Sequence, residues 1–292
     1  MNIMTLTDEK RKTFDAFLNS YLQPPDTSSG IFTAFSYSLK AGGKRIRPIL
    51  TMLACECLGG QGSDALPAAL AIEMIHTFSL IHDDLPVLDN DDLRRGVPTC
   101  HARFGEATAI LAGDALIFQA LSVIGAAPYP LETRFDIMKT MAAKCGIEGL
   151  IQGEYEDVMA EGKRLTFEEI KEIYRKKTSR LFELCMYSGA RIASSDTGKI
   201  AALTEYGTHI GMAFQAVDDI LDVTSEDGVL GKTPGKDLIQ DKATVVKALG
   251  LARTRLWAEE MTNRAIESIS GIENDASAAL KDIALSMQRR IQ

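Results

Sequence analysis

A group of aspartates lies directly behind an apolar segment in the first third of the chain. Asp83, Asp84 and Asp89 follow residues 68–81, whose almost uniformly apolar character predicts a helix buried in a core. Acids at the end of a buried helix need a counter-charge. Carboxylate oxygens bind hard divalent cations, and Mg²⁺ normally shares such a site with substrate phosphates. An acidic run is also typical of a solvated loop, so this stretch alone leaves both interpretations open.

Two features favour a carboxylate–metal–phosphate site over a loop. Arg94 and Arg95 follow the first acids at once, and their planar guanidinium groups suit phosphate oxygens. A second acidic group, Asp218, Asp219 and Asp222, again follows apolar residues. Asp218 and Asp222 are four residues apart and share one helix face, where like charges repel unless a cation lies between them. Two such groups in one chain are difficult to explain as surface.

Composition excludes some classes of protein. The 292 residues carry a net charge of −8, which makes nucleic acid an improbable partner. About half of the residues are apolar and a quarter are charged, as in ordinary soluble proteins. The polar N-terminus lacks an apolar signal core, and we expect no segment long enough to span a membrane. Five cysteines without metal-ligand spacing favour a reducing, cytoplasmic location: Cys55, Cys57, Cys100, Cys145 and Cys185.

Helical periodicity runs through nearly the whole chain and period-2 alternation is scarce, so the predicted fold class is all-α. Thr166 and Glu169 have the spacing of a capping box that opens a helix. No linker or change of composition divides the chain, which predicts one domain over residues 1–292. The predicted helices are 7–21, 30–40, 46–58, 65–85, 106–124, 131–143, 148–160, 166–188, 195–223, 242–269 and 276–291.

Basic residues near turns are further candidates, each with an ordinary alternative. Residues 42–48 form a basic turn in which Gly43 permits close backbone approach and Lys44 and Arg47 could hold an anion, although most basic turns are simply exposed. His76 lies inside the apolar segment, where a single histidine is by default a hydrogen-bonded core residue. The basic patch 176–180 is by default solvated, and Lys232 and Lys242 follow the second acidic group.

The order of these motifs resembles one family, the trans-polyprenyl diphosphate synthases. The basic turn, the first acidic group with its two arginines, the Lys177-Thr178 pair, the second acidic group and Gly231-Lys232-Thr233 span about residues 40–245 in the family's order. The two extra residues between Asp84 and Asp89 are similar to short-chain bacterial and plant members. The resemblance implies an all-α homodimer with a central cavity between the two acidic groups.

The resemblance also implies a reaction and a role for each motif. An allylic diphosphate would be condensed head to tail with isopentenyl diphosphate after Mg²⁺-assisted ionisation. No protein general base is expected, because the departing diphosphate can take the proton. By resemblance, three Mg²⁺ ions are held by Asp83, Asp84, Asp89, Asp218, Asp219 and Asp222. The allylic diphosphate is held by Arg94, Lys177, Lys232 and Lys242, while Thr178 and Gln215 present oxygens to the cation. Isopentenyl diphosphate is held by Gly43, Lys44, Arg47, His76 and Arg95.

Product length is expected to depend on Phe78, with the small Ser79 beside it. Phe78 lies five residues before Asp83, roughly 7–8 Å along a helix, where an aromatic ring could close the cavity as a floor. The two positions lie about 140° apart on an ideal helix, so a slanted tail or a local distortion is required. Helix pattern alone favours an ordinary core residue, whereas the resemblance favours a farnesyl (C15) product, with geranylgeranyl (C20) as the alternative.

The sequence departs from the family pattern at two positions. Glu154 replaces the usual glutamine of a Gly-Gln-x-x-Asp motif, and Thr244 begins Thr-Val-Val where Thr-Tyr-Pro is common.

A class I terpene cyclase has a different second metal motif and needs no second diphosphate turn. A His-Asp phosphohydrolase could not complete its metal shell with four histidines. A non-catalytic subunit of a heteromeric synthase typically loses an acidic motif, and both are present here.

Overall fold

Helices make up almost all the regular structure, as the scarcity of period-2 patterns predicts. The computed structural model describes residues 3–23, 30–224 and 242–291. The helices are α1 (Ile3–Tyr21), α2 (Gly30–Lys40), α3 (Ile46–Cys57), α4 (Leu66–Asp83), α5 (Cys100–Phe104), α6 (Glu106–Ala126), α7 (Leu131–Cys145), α8 (Leu150–Ala160), α9 (Phe167–Tyr174), α10 (Arg180–Ala193), α11 (Thr197–Thr224), α12 (Val245–Leu249), α13 (Leu251–Ser268) and α14 (Asp275–Gln288). Short 3₁₀ turns cover Gly62–Ala65 and Arg289–Ile291.

The main core lies between α3, α4, α6, α10 and α11. Helix α4 is buried on nearly all sides, which explains why its sequence lacks a polar face. Glycines allow the closest helix contacts: a Cβ atom on Gly189 of α10 would lie 2.1 Å from the carbonyl oxygen of Thr51 in α3. A smaller cluster joins α9, the C-terminal half of α11 and α13, with Trp257 packed edge-to-face on Phe167.

Three local features differ from the sequence-based prediction. The predicted helix 166–188 begins with the expected capping box at Thr166, but a π-helical turn at Arg175–Ser179 interrupts it before α10 continues to Ala193. The predicted helix 242–269 is two helices, because Gly250 has a φ of +80° and ends α12. Helix α5 and a small β-hairpin were not predicted.

The hairpin lies just after the first acidic group. Strands β1 (Leu93–Arg94) and β2 (Val97–Pro98) pair antiparallel. Their two-residue connection, Arg95 and Gly96, has φ values of +55° and +78°, as a type I′ turn requires. This turn holds Arg94 and Arg95 in fixed positions close to the end of α4.

Two helices are long and apolar enough to span a membrane by length and composition, contrary to the expectation that no segment reaches this length. The stretch Gly62–Asp83 is 78% buried and is a core helix of this fold. The stretch Glu106–Ala126 is only 33% buried. Ile110, Leu111 and Phe118 of this helix are exposed apolar side chains.

Candidate active site

The loop after α4 folds back on the helix end and gathers the first acidic group. The amide of Asp89 donates to the carbonyl oxygen of Asp83 at 2.8 Å, and that of Asp91 donates to Asp84 at 3.1 Å. Asn90 adopts a left-handed φ of +49°, a conformation that asparagine tolerates better than most residues. Asp83 and Asp89 are therefore close enough to interact electrostatically, as the predicted metal site requires.

Asp84 and Arg94 form a buried ion pair. The Arg94 Nε donates to Asp84 Oδ1 at 2.7 Å, and Asp91 lies 3.5 Å from the same guanidinium group. Asp84 is only 3% exposed. Burial lowers the pKa of Arg94, but the neighbouring carboxylates outweigh it and raise the pKa overall. Asp84, a predicted metal ligand, and Arg94, a predicted diphosphate ligand, thus neutralise each other's charge.

The π-helical turn presents Lys177 to carboxylates of α8. Its Nζ lies 2.5 Å from Asp157 Oδ2 and 2.9 Å from Glu154 Oε2. Burial lowers the pKa of Lys177, but Asp157, Glu154 and Asp83 outweigh it and raise the pKa well above the ordinary value. Helix α8 can come this close because Gly153 has no side chain: a Cβ at this position would lie only 2.2 Å from the Lys177 backbone nitrogen. Lys177 is therefore held by two carboxylates of α8 and lies near enough to Asp83 for the two charges to influence one another.

Lys242 connects the C-terminal part of the chain to the same place. Its Nζ lies 2.9 Å from Asp89 Oδ1 and 3.9 Å from Asp157 Oδ2. Burial and the nearby Lys177 lower its pKa, whereas Asp89 and Asp157 raise it, with a net rise. Lys232, which the resemblance assigns to the same diphosphate, lies outside the described residues.

Residues of α11 reach the π-helical turn through a short chain of hydrogen bonds. Thr178 Oγ1 donates to Gln215 Oε1 at 3.0 Å, and Gln215 Nε2 donates to Asp219 Oδ1 at 3.2 Å. Asp219 also accepts a 2.5 Å hydrogen bond from the Tyr174 hydroxyl and a 3.0 Å bond from the Val245 amide. Asp219 thus anchors α9 and α12 to α11 in addition to its predicted metal role.

Asp218 and Asp222 share one face of α11, as the four-residue spacing predicts. Asp218 is 38% exposed, with Arg290 of the C-terminal 3₁₀ turn 3.8 Å away. Partial burial and Arg290 lower the pKa of Lys44, while Asp218 raises it. The second acidic group and the basic turn are therefore near neighbours, although residues 218 and 44 are distant in sequence.

The basic turn is held by a buried residue that the sequence argument did not assign. Arg45 has a φ of +50° and is 5% exposed. Its guanidinium contacts Glu73 at 2.7 Å and Asp15 at 3.1 Å. A single acid within the apolar α4 was the available signal, because such an acid needs a buried cation. This pairing turns Arg45 inward and leaves Lys44 at the surface of the turn.

Gly43 and Arg95 are in direct contact, as their shared predicted role requires. Arg95 donates to the carbonyl oxygen of Gly42, and a Cβ on Gly43 would lie 2.6 Å from the Arg95 guanidinium carbon. Beside them, Arg47 Nη1 lies 3.2 Å from His76 Nε2 and its guanidinium stacks over Phe182. Burial and four surrounding arginines hold the pKa of His76 well below its usual range, so neutral His76 accepts from Arg47. These contacts hold the guanidinium groups of Arg47 and Arg95 close together, in an arrangement suited to binding an anion.

Phe78 is buried on α4, with its ring edge-to-face against His82 at 5.7 Å between centroids. His82 is fixed in turn by a 3.2 Å contact with the carbonyl oxygen of Ile110. It also occupies the space that a side chain at Gly113 would need, since a Cβ there would lie 2.1 Å from Nε2. Ser79 is partly buried and donates to the His76 carbonyl oxygen at 3.0 Å. Helix packing thus fixes the ring of Phe78.

The acid-rich end of α4 suits a divalent cation chemically. Burial, Glu154 and Asp89 raise the pKa of Asp83 to about 8, although Lys177 and Arg94 oppose them, which indicates too little positive charge around the carboxylate. Oxygen ligands of this kind are those that Mg²⁺ prefers. Among the described residues no three His, Cys, Asp or Glu side chains form a ready-made metal site, since several carboxylates are paired with Lys or Arg.

Comparison with known proteins identifies the family. The Polyprenyl synthetase family profile matches residues 29–284. The large subunit 1 of a heterodimeric geranylgeranyl pyrophosphate synthase from Arabidopsis thaliana is 44% identical over 87% of this chain and 70% of its own. A farnesyl diphosphate synthase from Geobacillus stearothermophilus is 41% identical over 86% of each chain. This chain therefore belongs to the polyprenyl synthetase family of short-chain prenyltransferases, which confirms the resemblance read from its motifs.

A solved structure agrees in fold. The Helicobacter pylori geranyltransferase complexed with magnesium and isoprenyl diphosphate superposes with a TM-score of 0.86 and 29% identity, covering 99% of this chain and 97% of that one. The predicted all-α class is thereby confirmed. Relatives with farnesyl and with geranylgeranyl names match about equally well, so the family alone leaves the product open.

Proposed function

We propose that this protein is a farnesyl diphosphate synthase. It condenses isopentenyl diphosphate with dimethylallyl and then geranyl diphosphate, and stops at C15. The observation that carries the product assignment is Phe78, a buried aromatic ring on α4 that His82 and Gly113 hold in place. Because α4 is unbroken to Asp83, the tail must slant across the helix to meet this ring. A geranylgeranyl diphosphate synthase is the second candidate, favoured by the Arabidopsis relative.

Two sets of residues would divide the two diphosphates between them. Lys242 contacts Asp89 of the first acidic group and Lys177 contacts the neighbouring Asp157; both lysines would bind the allylic diphosphate, with Lys232 and Arg94 in the same role. Lys44, Arg47, His76, Arg95 and Gly43 would bind isopentenyl diphosphate. Thr178 and Gln215 would direct oxygens toward the developing allylic cation. Water must be kept from this cation, and the buried position of Thr178 serves that purpose.

Magnesium is proposed as the cofactor, as three ions held between the two acidic groups. Asp83, Asp84 and Asp89 would supply oxygens from α4, and Asp218, Asp219 and Asp222 from α11. When bound, Mg²⁺ neutralises charge on the leaving diphosphate and so makes ionisation possible. The Helicobacter pylori structure with magnesium and isoprenyl diphosphate supports this assignment. No residue of the chain is assigned as a general base, because the departing diphosphate can accept the proton.

Phe78→Ala should lengthen the product. Removing the ring opens the floor, so the wild type should stop mainly at C15 while the variant extends to C20 or beyond. The measurement is the chain-length distribution from isopentenyl diphosphate with each allylic starter. Ile72→Ala is a matched control, since Ile72 is equally buried in α4 but lies on another side of the helix. A wild type that makes C20 overturns the farnesyl assignment, and unchanged products from Phe78→Ala place the floor elsewhere.

A homodimer is proposed to cover the exposed apolar face of α6 and α7. Ile110, Leu111 and Phe118 are 43%, 58% and 73% exposed, and Phe135 of α7 is 61% exposed. Such a face is unusual on a monomer. Light scattering should give twice the chain mass, and Phe118→Glu should shift the population to single chains. A wild type of single-chain mass that gains activity only with a second protein would favour a heteromeric synthase instead.

We also propose a cytoplasmic location. All five cysteines are free and buried, which suits a reducing compartment. Burial raises the pKa of most of these thiols, with that of Cys145 and Cys185 reaching about 12, so they are poor nucleophiles. They need no oxidising environment to stabilise the fold.

A further inference from the structure

Glu154 of α8 lies beside Lys177, which is one of the proposed diphosphate ligands. Its carboxylate is 18% exposed and lies 2.9 Å from the Lys177 Nζ. The Asp157 carboxylate lies 2.5 Å from the same atom. Lys177 is thus shared by two carboxylates from consecutive turns of α8. With glutamine at position 154, Asp157 would be the only carboxylate among the described residues that contacts this lysine.

Glu154 also acts on the first acidic group. Its partner Lys177 also contacts Asp157, and Asp157 lies 3.9 Å from the Lys242 Nζ that contacts Asp89, so Glu154 adds negative charge to one connected cluster of acids. Among the described residues, Lys177 is the lysine that contacts both Glu154 and Asp157, and Lys242 is the lysine that contacts Asp89. A diphosphate that enters here must compete with Glu154 for Lys177 and approach its negative charge. A divalent cation relieves both obstacles.

The neighbouring Glu156 shows that this arrangement is particular to position 154. Glu156 lies on the same helix but contacts Lys176 at 2.6 Å and Gln152 at 2.9 Å, so its partner is not the active-site lysine. It is 26% exposed, only slightly more than Glu154. The two acids therefore differ mainly in which lysine they hold.

We propose that Glu154 is a positioning residue that sets the magnesium requirement of the diphosphate site. It holds Lys177 in an ion pair and opposes diphosphate binding until Mg²⁺ neutralises the surrounding acids. This inference rests on the proposed function, because it takes Lys177 as a diphosphate ligand. Because the glutamate charge repels diphosphate and is neutralised by Mg²⁺, the coupling between the two ligands is stronger with glutamate than with glutamine, and each ligand strengthens the binding of the other equally.

The test is pyrophosphate binding measured by calorimetry at increasing Mg²⁺ concentrations, with no turnover involved. Glu154→Gln should lower the Mg²⁺ concentration that gives half-maximal pyrophosphate affinity by about fivefold or more, a coupling of ordinary size. It should also lower the KM for the allylic substrate at limiting Mg²⁺ more than it changes kcat. Glutamine has nearly the same shape, and thermal unfolding checks that the variant is folded.

Glu156→Gln is the matched control and should leave the Mg²⁺ dependence unchanged. An unchanged dependence in Glu154→Gln overturns the inference, and so does a higher Mg²⁺ requirement, which would make Glu154 a metal ligand. Failure of the proposed function has a different signature. In that case the wild type would bind no pyrophosphate at any Mg²⁺ concentration and would form no prenyl diphosphate.

Discussion

Asp83→Ala should lower turnover by roughly a thousandfold or more, because it removes an oxygen ligand from the charge that stabilises the leaving diphosphate. Asp218→Ala should have an effect of the same order, since the proposed site needs both α4 and α11. Both side chains lie at helix surfaces facing the site, so helical content by circular dichroism should stay unchanged. Steady-state product formation at saturating Mg²⁺ is the measurement.

Asp92→Ala provides the control within the same acidic run. Its side chain is 87% exposed, and its contact is a 3.8 Å approach to His101, so its removal should leave turnover near the wild-type value. The double variant Asp83→Ala/Asp218→Ala should be little worse than either single variant, because residues that act as a unit are not additive. Near-normal turnover in either single variant would contradict the proposal that the two acidic groups act together.

Three acids in and beside the proposed site are paired with cations that are themselves predicted diphosphate ligands. Arg94 contacts Asp84, Lys177 contacts Asp157 and Lys242 contacts Asp89. These three predicted diphosphate ligands therefore each have a carboxylate partner in the folded chain. Binding of metal and diphosphate then exchanges one set of charge pairs for another, which avoids leaving buried charges unpaired at any stage.

The acidic groups could be predicted from sequence because carboxylates at the ends of apolar helices are conspicuous. Asp83 ends α4 and Asp218 lies near the end of α11, as the helical period predicts. The hairpin around Arg95 could not be found in this way, since two-residue strands have no measurable period. The break at Gly250 was predictable in principle, because glycine between two leucines is typical of a helix end.

The charge pairs required the folded structure. Lys242 and Asp89 are 153 residues apart, and only packing brings them together. Nothing local distinguishes the π-helical turn at Arg175–Ser179 from a regular helix, because its extra residue is accommodated by contacts with α8 and α11. Glu73 and Tyr174 were missed as partners of Arg45 and Asp219 for the same reason.

Gly153→Ala should damage both stability and activity. A Cβ at this position would lie 2.2 Å from the Lys177 nitrogen and 2.7 Å from its Cα, and these backbone atoms cannot rotate away. Helix α8 must therefore move off the π-helical turn, which costs about 1–3 kcal/mol of unfolding free energy by overpacking. Lys177 would shift with the turn, and a displacement near 1 Å can lower turnover roughly a hundredfold. Urea unfolding and steady-state kinetics measure the two effects.

Gly125→Ala is the control, because it makes the same change near the end of α6, where no atom lies within 4 Å of the new Cβ. With space available, alanine favours the helix by up to about 1 kcal/mol, so this variant should be as stable as the wild type or slightly more stable. If Gly153→Ala behaved like Gly125→Ala in both measurements, α8 would not contact the π-helical turn in solution. The positioning of Lys177 by Glu154 and Asp157 would then be wrong as well.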